Sequence, residues 1–165
     1  MPQLRPSVGE PDTVFVDDTL IVIVKPAGLL AVPGRHEADC AWARVAARYA
    51  DAQIVHRLDQ ATSGLMLMAR GATMQRALSM AFAAQQVAKH YEAVVHGLLA
   101  LGDGVVDAAL AADWPRRPRQ MVDAESGKAS RTAWQVLQRD ATTQCSRVAL
   151  HALTGRTHQL RVHMA

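Results

Sequence analysis

The chain has 165 residues and a formal net charge of +3, and half of its residues are hydrophobic although only 4% are aromatic. This length predicts one domain, with a core that must be built mainly from Ala, Val and Leu. No apolar run reaches the roughly 18 residues of a membrane span, and the N-terminal residues hold no signal-peptide core. We therefore expect a cytoplasmic protein with no membrane partner.

Arginine dominates the basic residues, since only Lys25, Lys89 and Lys128 are lysines. Arginine richness suits bidentate contacts with phosphate and so hints at an anionic partner. Genomic base composition could produce the same bias. The two cysteines, Cys40 and Cys145, lie in apolar contexts without metal-ligand spacing, which favours free thiols in a reducing compartment.

The first third of the chain predicts a hairpin followed by a helix. Residues 1–12 carry three prolines and no periodicity, so they predict an extended lead-in. Two β-rich runs within residues 13–25 predict a hairpin that Pro26 ends, followed by a loop punctuated by Pro and Gly. The composition of residues 38–50 predicts a helix.

The stretch IVHRLDQATSGLMLMAR, residues 54–70, has apolar ends and a polar middle that contains His56, Arg57 and Asp59. The apolar run after the turn predicts a buried strand. A cation and a carboxylate in a tight turn between buried strands are costly to maintain, which indicates a functional site. The alternative is that Asp59 merely caps the turn and Arg57 pairs with it on the surface.

Further elements follow from periodicity and turn residues. The pattern of residues 71–87 predicts a helix whose methionines fill the core. Strands are predicted at residues 89–97, 105–110, 131–138 and 146–153, and a helix begins near Thr157.

Residues 112–121 form a basic segment that differs from its surroundings. It holds one tryptophan, two prolines and the arginines Arg116, Arg117 and Arg119. The prolines exclude an α-helix, and the charge is too dense for a buried strand. We interpret this segment as an exposed basic loop.

Four residues are candidates for chemistry. Asp59 could act as nucleophile or base if a nearby guanidinium kept it ionised. Arg156 and Arg161 lie five residues apart on a starting helix and so point to different sides, where one could pair with Asp59 and the other face solvent or phosphate. Surface solvation is the alternative for each arginine, and cross-strand packing is the alternative for Tyr91.

The sequence shows no metal or cofactor motif. The histidines at positions 151, 158 and 163 lack metal-ligand spacing, and GxGxxG, P-loop and GxSxG patterns are missing. We expect neither a metal nor an organic cofactor.

Three segments carry a resemblance to a known family. HRLDQATSGLMLMAR, KHYEAVVHG and TGRTHQLRVHM occur in that order and resemble the signature motifs of the RluA-type pseudouridine synthases, and VKPAGLLAVPGR resembles the segment that precedes them. The stretch ADWPRRPRQMVDAESGKAS resembles the RluA branch itself, which modifies hairpins of large-subunit ribosomal RNA and transfer RNA. The resemblance runs from about Thr13 to the last residue.

The resemblance implies an α+β fold in which a mixed, largely antiparallel sheet is flanked by helices. It also implies an isomerase that detaches a uracil of RNA from its ribose, rotates it and rejoins it through carbon. By this resemblance Asp59 is the catalytic aspartate, acting as nucleophile or base. Tyr91 packs against the target base and is a candidate general base. Arg161 pairs with the aspartate.

The resemblance also implies RNA-binding residues. Arg57 would fill the gap left by a flipped target nucleotide, because a stacked uridine hides its glycosidic bond. We place His56, Arg156 and the arginines at 116, 117 and 119 among the other RNA contacts.

The resemblance bears on domain organisation and partners too. It implies a catalytic domain over residues 13–165 and, since the family continues past RVHM, a missing C-terminal part. We expect a monomer whose partner is an rRNA or tRNA stem-loop. The alternative function is a non-catalytic RNA-binding remnant.

Overall fold

A computed structural model describes residues 9–165, so residues 1–8 of the predicted lead-in lie outside the described part of the chain. The chain divides into two compact units, the first ending at Gln86 and the second beginning at Val87. Both combine antiparallel sheet with short helices, which confirms the predicted α+β class. Within the described residues, no helix is long and apolar enough to cross a bilayer.

The first unit contains a four-stranded antiparallel sheet with the strand order β1-β2-β4-β3 and two helices. Its elements are β1 (Asp12–Val16), β2 (Leu20–Lys25), α1 (Ala41–Ala46), β3 (Ala52–Ile54), β4 (Gly64–Arg70) and α2 (Gly71–Ala83). The predicted hairpin is confirmed as β1 and β2, and its turn is closed by the Asp17 carboxylate, which accepts hydrogen bonds from Thr19 and from the Leu20 N–H.

The core of this unit lies on one face of β2 and β4. Ile21 and Ile23 of β2 are fully buried and pair with Met68 and Met66 of β4, which are also fully buried. Because side chains alternate along a strand, the next β2 position on this face is Lys25, and it too is fully buried. The hydrophobic face therefore ends in a cation.

Both helices are shorter than the sequence predicts. The Cys40 thiol accepts a bond from the Ala43 N–H and caps α1, which ends at Ala46 because the following residues form the turns that lead into β3. Helix α2 ends at Ala83, and Gln85 adopts a left-handed backbone with φ of +58°. No residue of α2 is buried, so the prediction that its methionines fill the core was wrong, and Met80 is 65% exposed.

The second unit contains a four-stranded antiparallel sheet with the order β5-β10-β9-β6, a two-stranded ribbon and one short helix. Its elements are β5 (His90–His96), β6 (Asp103–Asp107), β7 (Leu110–Ala112), β8 (Gln120–Val122), β9 (Arg131–Asp140), β10 (Cys145–Ala152) and α3 (Gln159–His163). The strands predicted at 89–97, 131–138 and 146–153 are confirmed.

Three predicted segments of this unit are corrected. The run 105–110 is not one strand, since β6 ends before β7 begins at Leu110. The basic segment contains no α-helix, as predicted, but its ends pair as β7 and β8 around a 3-10 turn at Trp114–Arg116. Helix α3 begins at Gln159 rather than near Thr157, because His158 takes a left-handed φ of +53°.

Close packing between two strands generates a stability prediction. Gly104 of β6 lies opposite Trp134 of β9, and a Cβ at Gly104 would come within 2.9 Å of the indole. Gly104→Ala should therefore lower the free energy of unfolding by about 1–3 kcal/mol, as overpacking does. Gly102→Ala is the matched control, because a Cβ there would meet nothing within 4 Å. Urea denaturation that gives the same stability for both variants would contradict this account.

Candidate active site

Residues 55–63 form the loop that joins β3 to β4 and carries the candidate residues of the first unit. Leu58 is buried, Asp59 is half-buried and Arg57 is exposed. A buried leucine between the two charged residues fixes the loop to the core and turns Arg57 outward. Strand β4 begins directly after the loop at Gly64, whose φ of +131° suits glycine.

Lys25 connects this loop to the loop that follows β2. Its ammonium donates hydrogen bonds to the backbone carbonyl oxygens of Pro26 at 2.8 Å, Leu29 at 2.7 Å and Gln60 at 3.2 Å. Three acceptors use the three N–H bonds of a protonated amine. The fully buried ammonium is therefore hydrogen-bonded to backbone carbonyls of both loops.

Gln60 and Gly28 form a second connection between the same two loops. The Gly28 N–H donates to the Gln60 carbonyl at 2.7 Å, and the Gln60 side-chain amide donates back to the Gly28 carbonyl at 2.9 Å. Gly28 has a φ of +89°, a conformation that glycine adopts at no steric cost. The backbone is therefore held in place at Gln60, the residue directly after Asp59.

Two electrostatic effects oppose each other at Lys25. Burial lowers the pKa of Lys25 from its usual value of 10.5, and the Asp59 carboxylate acts in the opposite direction by favouring the ammonium. The two charges therefore stabilise each other across the loop.

His56 is held by the scaffold of the first unit. Its Nε2 accepts a hydrogen bond from the Leu67 N–H at 2.9 Å, and its ring stacks on Phe82 with the centroids 4.5 Å apart. Since Nε2 accepts from an N–H, that nitrogen carries no hydrogen. These contacts give His56 a structural role, and the predicted RNA contact stays a prediction.

Tyr91 lies in β5 of the second unit. It is half-buried and pairs with the buried Leu150 of β10. Just before this strand, the Lys89 amine donates to the Thr154 carbonyl at 3.5 Å, and burial lowers the pKa of Lys89. The start of β5 is therefore close to the segment that carries Arg156 and Arg161.

Gln159 organises that segment. Its side-chain oxygen accepts from the Thr154 hydroxyl at 2.7 Å and from the Arg156 N–H at 3.0 Å. Its side-chain nitrogen donates to the Arg131 carbonyl at 2.9 Å and to the Thr132 hydroxyl at 3.0 Å. The amide is buried, and all of its hydrogen-bonding capacity is used.

His163 extends this network, and its two hydrogen-bond partners determine its tautomer. Its Nε2 lies 3.0 Å from the Ala108 carbonyl, and its Nδ1 lies 2.9 Å from the Thr132 hydroxyl. A carbonyl only accepts, so Nε2 carries the hydrogen. The Thr132 hydroxyl, which accepts from Gln159, is then free to donate to Nδ1.

The two arginines of this segment do not share a helix. Arg156 precedes α3 and is exposed, with its Nε donating to the Ala129 carbonyl at 3.1 Å. Arg161 lies in α3 and is also exposed. The prediction that both arginines lie on one helix was wrong, because the left-handed His158 separates them before the helix begins.

The three arginines of the basic segment have different surroundings. Arg116 forms an ion pair at 2.8 Å with Asp113, whose side chain is only 7% exposed. The Arg117 guanidinium lies over the Trp114 ring, 3.1 Å from its centroid. Arg119 is exposed. All three were predicted to contact RNA, and in the structure their surroundings differ.

Among residues 9–165, no group of three or more His, Cys, Asp or Glu side chains lies close enough together to hold a metal ion. Cys40 is buried and Cys145 half-buried, and both are free thiols.

Sequence reasoning missed Lys25 and Gln159. The signal for Lys25 was present, since it follows Ile21 and Ile23 on the inward face of a strand. Gln159 had no such signal, because two of its four partners, Arg131 and Thr132, lie far away in the sequence.

The sequence model of the family described as RNA pseudouridylate synthase matches residues 19–165. The chain belongs to the RNA pseudouridylate synthase family. The resemblance drawn from the three motifs is confirmed.

Curated relatives carry the same identification. The chain is 44% identical over 158 residues to the dual-specificity RNA pseudouridine synthase RluA of Vibrio parahaemolyticus, covering 93% of this chain and 63% of that protein. It is 42% identical over 153 residues to the Escherichia coli (strain K12) protein of the same name, covering 92% of this chain and 69% of that protein. The chain thus spans about two thirds of the length of these relatives.

Solved structures share the fold. Human RNA pseudouridylate synthase domain containing 1 superposes with a TM-score of 0.78 at 25% identity, over 96% of this chain and 66% of that one. Human RNA pseudouridylate synthase domain containing 4 gives a TM-score of 0.73 at 25% identity, over 92% of this chain and 62% of that one.

The Lys25 contacts generate a prediction that is independent of catalysis. Lys25→Met keeps the length of the side chain but removes the ammonium that donates to the carbonyls of Pro26, Leu29 and Gln60, of which the Gln60 carbonyl keeps the Gly28 N–H. The loss should lower the free energy of unfolding by about 1–3 kcal/mol. Lys128→Met is the control, because Lys128 is exposed. Urea denaturation would contradict the role of Lys25 if both variants unfolded at the same urea concentration as the parent.

Proposed function

We propose that this chain carries the catalytic machinery of an RNA pseudouridine synthase. In this isomerisation the N1–C1′ bond of a uridine breaks and a C5–C1′ bond forms, while C5 loses a proton and N1 gains one. No electrons enter or leave the substrate, so the reaction as a whole requires no redox cofactor.

The observation that supports this proposal is the fastening of the Asp59 loop in a chain of this family. The loop is held on one side by Leu58 in the core and on the other by Gln60, which is bonded to Lys25 and Gly28. A catalytic carboxylate is effective only when its backbone is preorganised for the reacting atoms. The half-buried Asp59 meets that requirement.

We assign the chemistry to three residues. Asp59 attacks the sugar or removes its proton, and Tyr91 packs against the target base and can serve as general base. Arg161 is assigned as the basic partner of the aspartate, because it falls on that position of the third family motif.

We assign the substrate to the class of structured RNA. Relatives that are 44% and 42% identical to this chain are named dual-specificity RNA pseudouridine synthases, and we extend this to rRNA and tRNA stem-loops as substrates of this chain. Arg57 is exposed beside Asp59 on the same loop, which suits insertion into the stack when the uridine flips out. Arg156 and the arginines at 116, 117 and 119 are the remaining cationic candidates for RNA contact.

Substitution of Asp59 tests the proposal. Asp59→Asn preserves size and hydrogen bonding but removes the charge that a nucleophile or base requires. We expect tritium release from RNA labelled at uridine C5 to fall by many orders of magnitude, with RNA affinity little changed. Asp18→Asn, at an exposed position of the first hairpin, should leave the rate unaltered.

Appreciable turnover by Asp59→Asn would overturn the assignment of this residue. A parent protein that binds the stem-loop tightly but releases no tritium would overturn the proposed activity. It would support the alternative of a non-catalytic RNA-binding protein.

Arg57 gives a prediction that depends on the substrate. If its side chain replaces the flipped uridine, it repays part of the few kcal/mol spent on unstacking. Arg57→Ala should then slow pseudouridine formation most on structured hairpins and least on short single-stranded RNA, where there is little stacking to break. Single-turnover rates on both substrates measure this difference.

Arg48→Ala is the matched control, since Arg48 is also exposed and lies 3.7 Å from Glu10 in a surface ion pair. Such pairs contribute at most about 1 kcal/mol. Equal losses for Arg57→Ala on both substrates would mean that Arg57 belongs to the scaffold.

A further inference from the structure

The basic segment presents a tryptophan to solvent. Trp114 is 68% exposed although it is a large aromatic residue. The guanidinium carbon of Arg117 lies 3.1 Å from the centroid of its ring, which covers part of the ring with a planar cation. Most of the aromatic surface therefore remains accessible, next to a positive charge.

The backbone that carries Trp114 is held in a fixed turn. The Asp113 N–H donates to the Arg119 carbonyl and closes the segment at 3.0 Å. Inside it, the Arg116 N–H donates to the Asp113 carbonyl and the Arg119 N–H donates to the Arg116 carbonyl, each at 3.0 Å. The largely buried Asp113 carboxylate adds the ion pair with Arg116. The ring is thus presented by a loop that loses little entropy on binding.

We propose that Trp114 and Arg117 form a stacking platform for an unpaired base of the RNA substrate. The platform is distinct from the residues to which we assign the isomerisation, and it rests on the proposed function because it takes RNA as its ligand. Every base offers a π-face, so an exposed indole can bind a loop nucleotide with little regard to sequence. The Arg117 cation lies over the ring and places positive charge next to a nucleotide stacked there.

The surroundings of the neighbouring arginines favour stacking over a purely ionic grip. Arg116 is already paired with Asp113, so its charge is partly neutralised before RNA arrives. Replacing Trp114 should therefore reduce affinity and leave the salt dependence intact, since counterion release depends on phosphate contacts alone. Replacing an arginine that touches phosphate would reduce the salt slope as well.

The experiment measures binding of the full chain to an RNA stem-loop that carries a fluorescent adenine analogue in its loop. Stacking on the indole should quench the analogue when the parent protein binds. Trp114→Leu should weaken binding on the order of 10-fold, abolish the quenching and keep the salt slope. Trp114→Phe, which retains an aromatic face, should recover most of both signals.

Leu101→Ala serves as the matched control, because Leu101 is 69% exposed in the same unit. The platform is refuted by any one of several binding results. These are no quenching with the parent, unchanged affinity for Trp114→Leu, or a loss just as large for Leu101→Ala. A reduced salt slope for Trp114→Leu would likewise show that the segment binds by charge instead. Quenching by the parent is measured without any variant, so a misfolded variant would not leave the idea untested.

Pseudouridine formation by the parent, measured in parallel, separates the two proposals. Turnover with an affinity that does not depend on Trp114 overturns the platform alone. Quenching that depends on Trp114, without any turnover, supports the platform and overturns the proposed activity. A parent that does not bind the stem-loop overturns the platform as well.

Discussion

The buried ammonium of Lys25 is the contact on which the candidate catalytic loop depends. Removing an ammonium from water costs several kcal/mol unless its hydrogens find acceptors. The acceptors here are backbone carbonyls of two different loops, at Leu29 and Gln60 among others. Neither loop can move away without leaving part of this cation unsatisfied. Because the buried Lys25 ammonium needs the Gln60 carbonyl as an acceptor, it restrains the backbone directly after Asp59.

In the second unit a neutral buried side chain, the Gln159 amide, holds the candidate segment in place. The Gln159 amide offers two donors and two acceptor positions, and each is used by the segment that leads to α3 or by the start of β9. A neutral amide avoids the desolvation penalty of an ion, so its satisfied network stabilises without requiring a counter-charge. The charge of Arg161 is then presented by α3 on a rigid base.

The sequence predicted the strands well because period-two alternation reports directly on burial. It failed at helix ends, where Gln85 and His158 adopt left-handed conformations that residues other than glycine rarely take. The candidate site residues were recognisable from three long motifs. Their partners were not, because Gln159 bonds with Arg131 and Thr132 at a separation that no local pattern reports. Lys25 could have been predicted from the inward face of its strand.

Part of the positive charge of the arginines is not available to phosphates. Several are already paired with carboxylates, namely Arg44 with Asp39, Arg70 with Asp51, Arg116 with Asp113, Arg131 with Asp107 and Arg147 with Glu92. An arginine and its carboxylate partner have no net charge together. Their electrostatic attraction for RNA is therefore weak beyond a Debye length of about 8 Å at physiological salt. With a net charge of only +3, counterion release is a limited source of affinity. Contacts that do not depend on salt, such as base stacking and side-chain insertion, then have to supply the remainder.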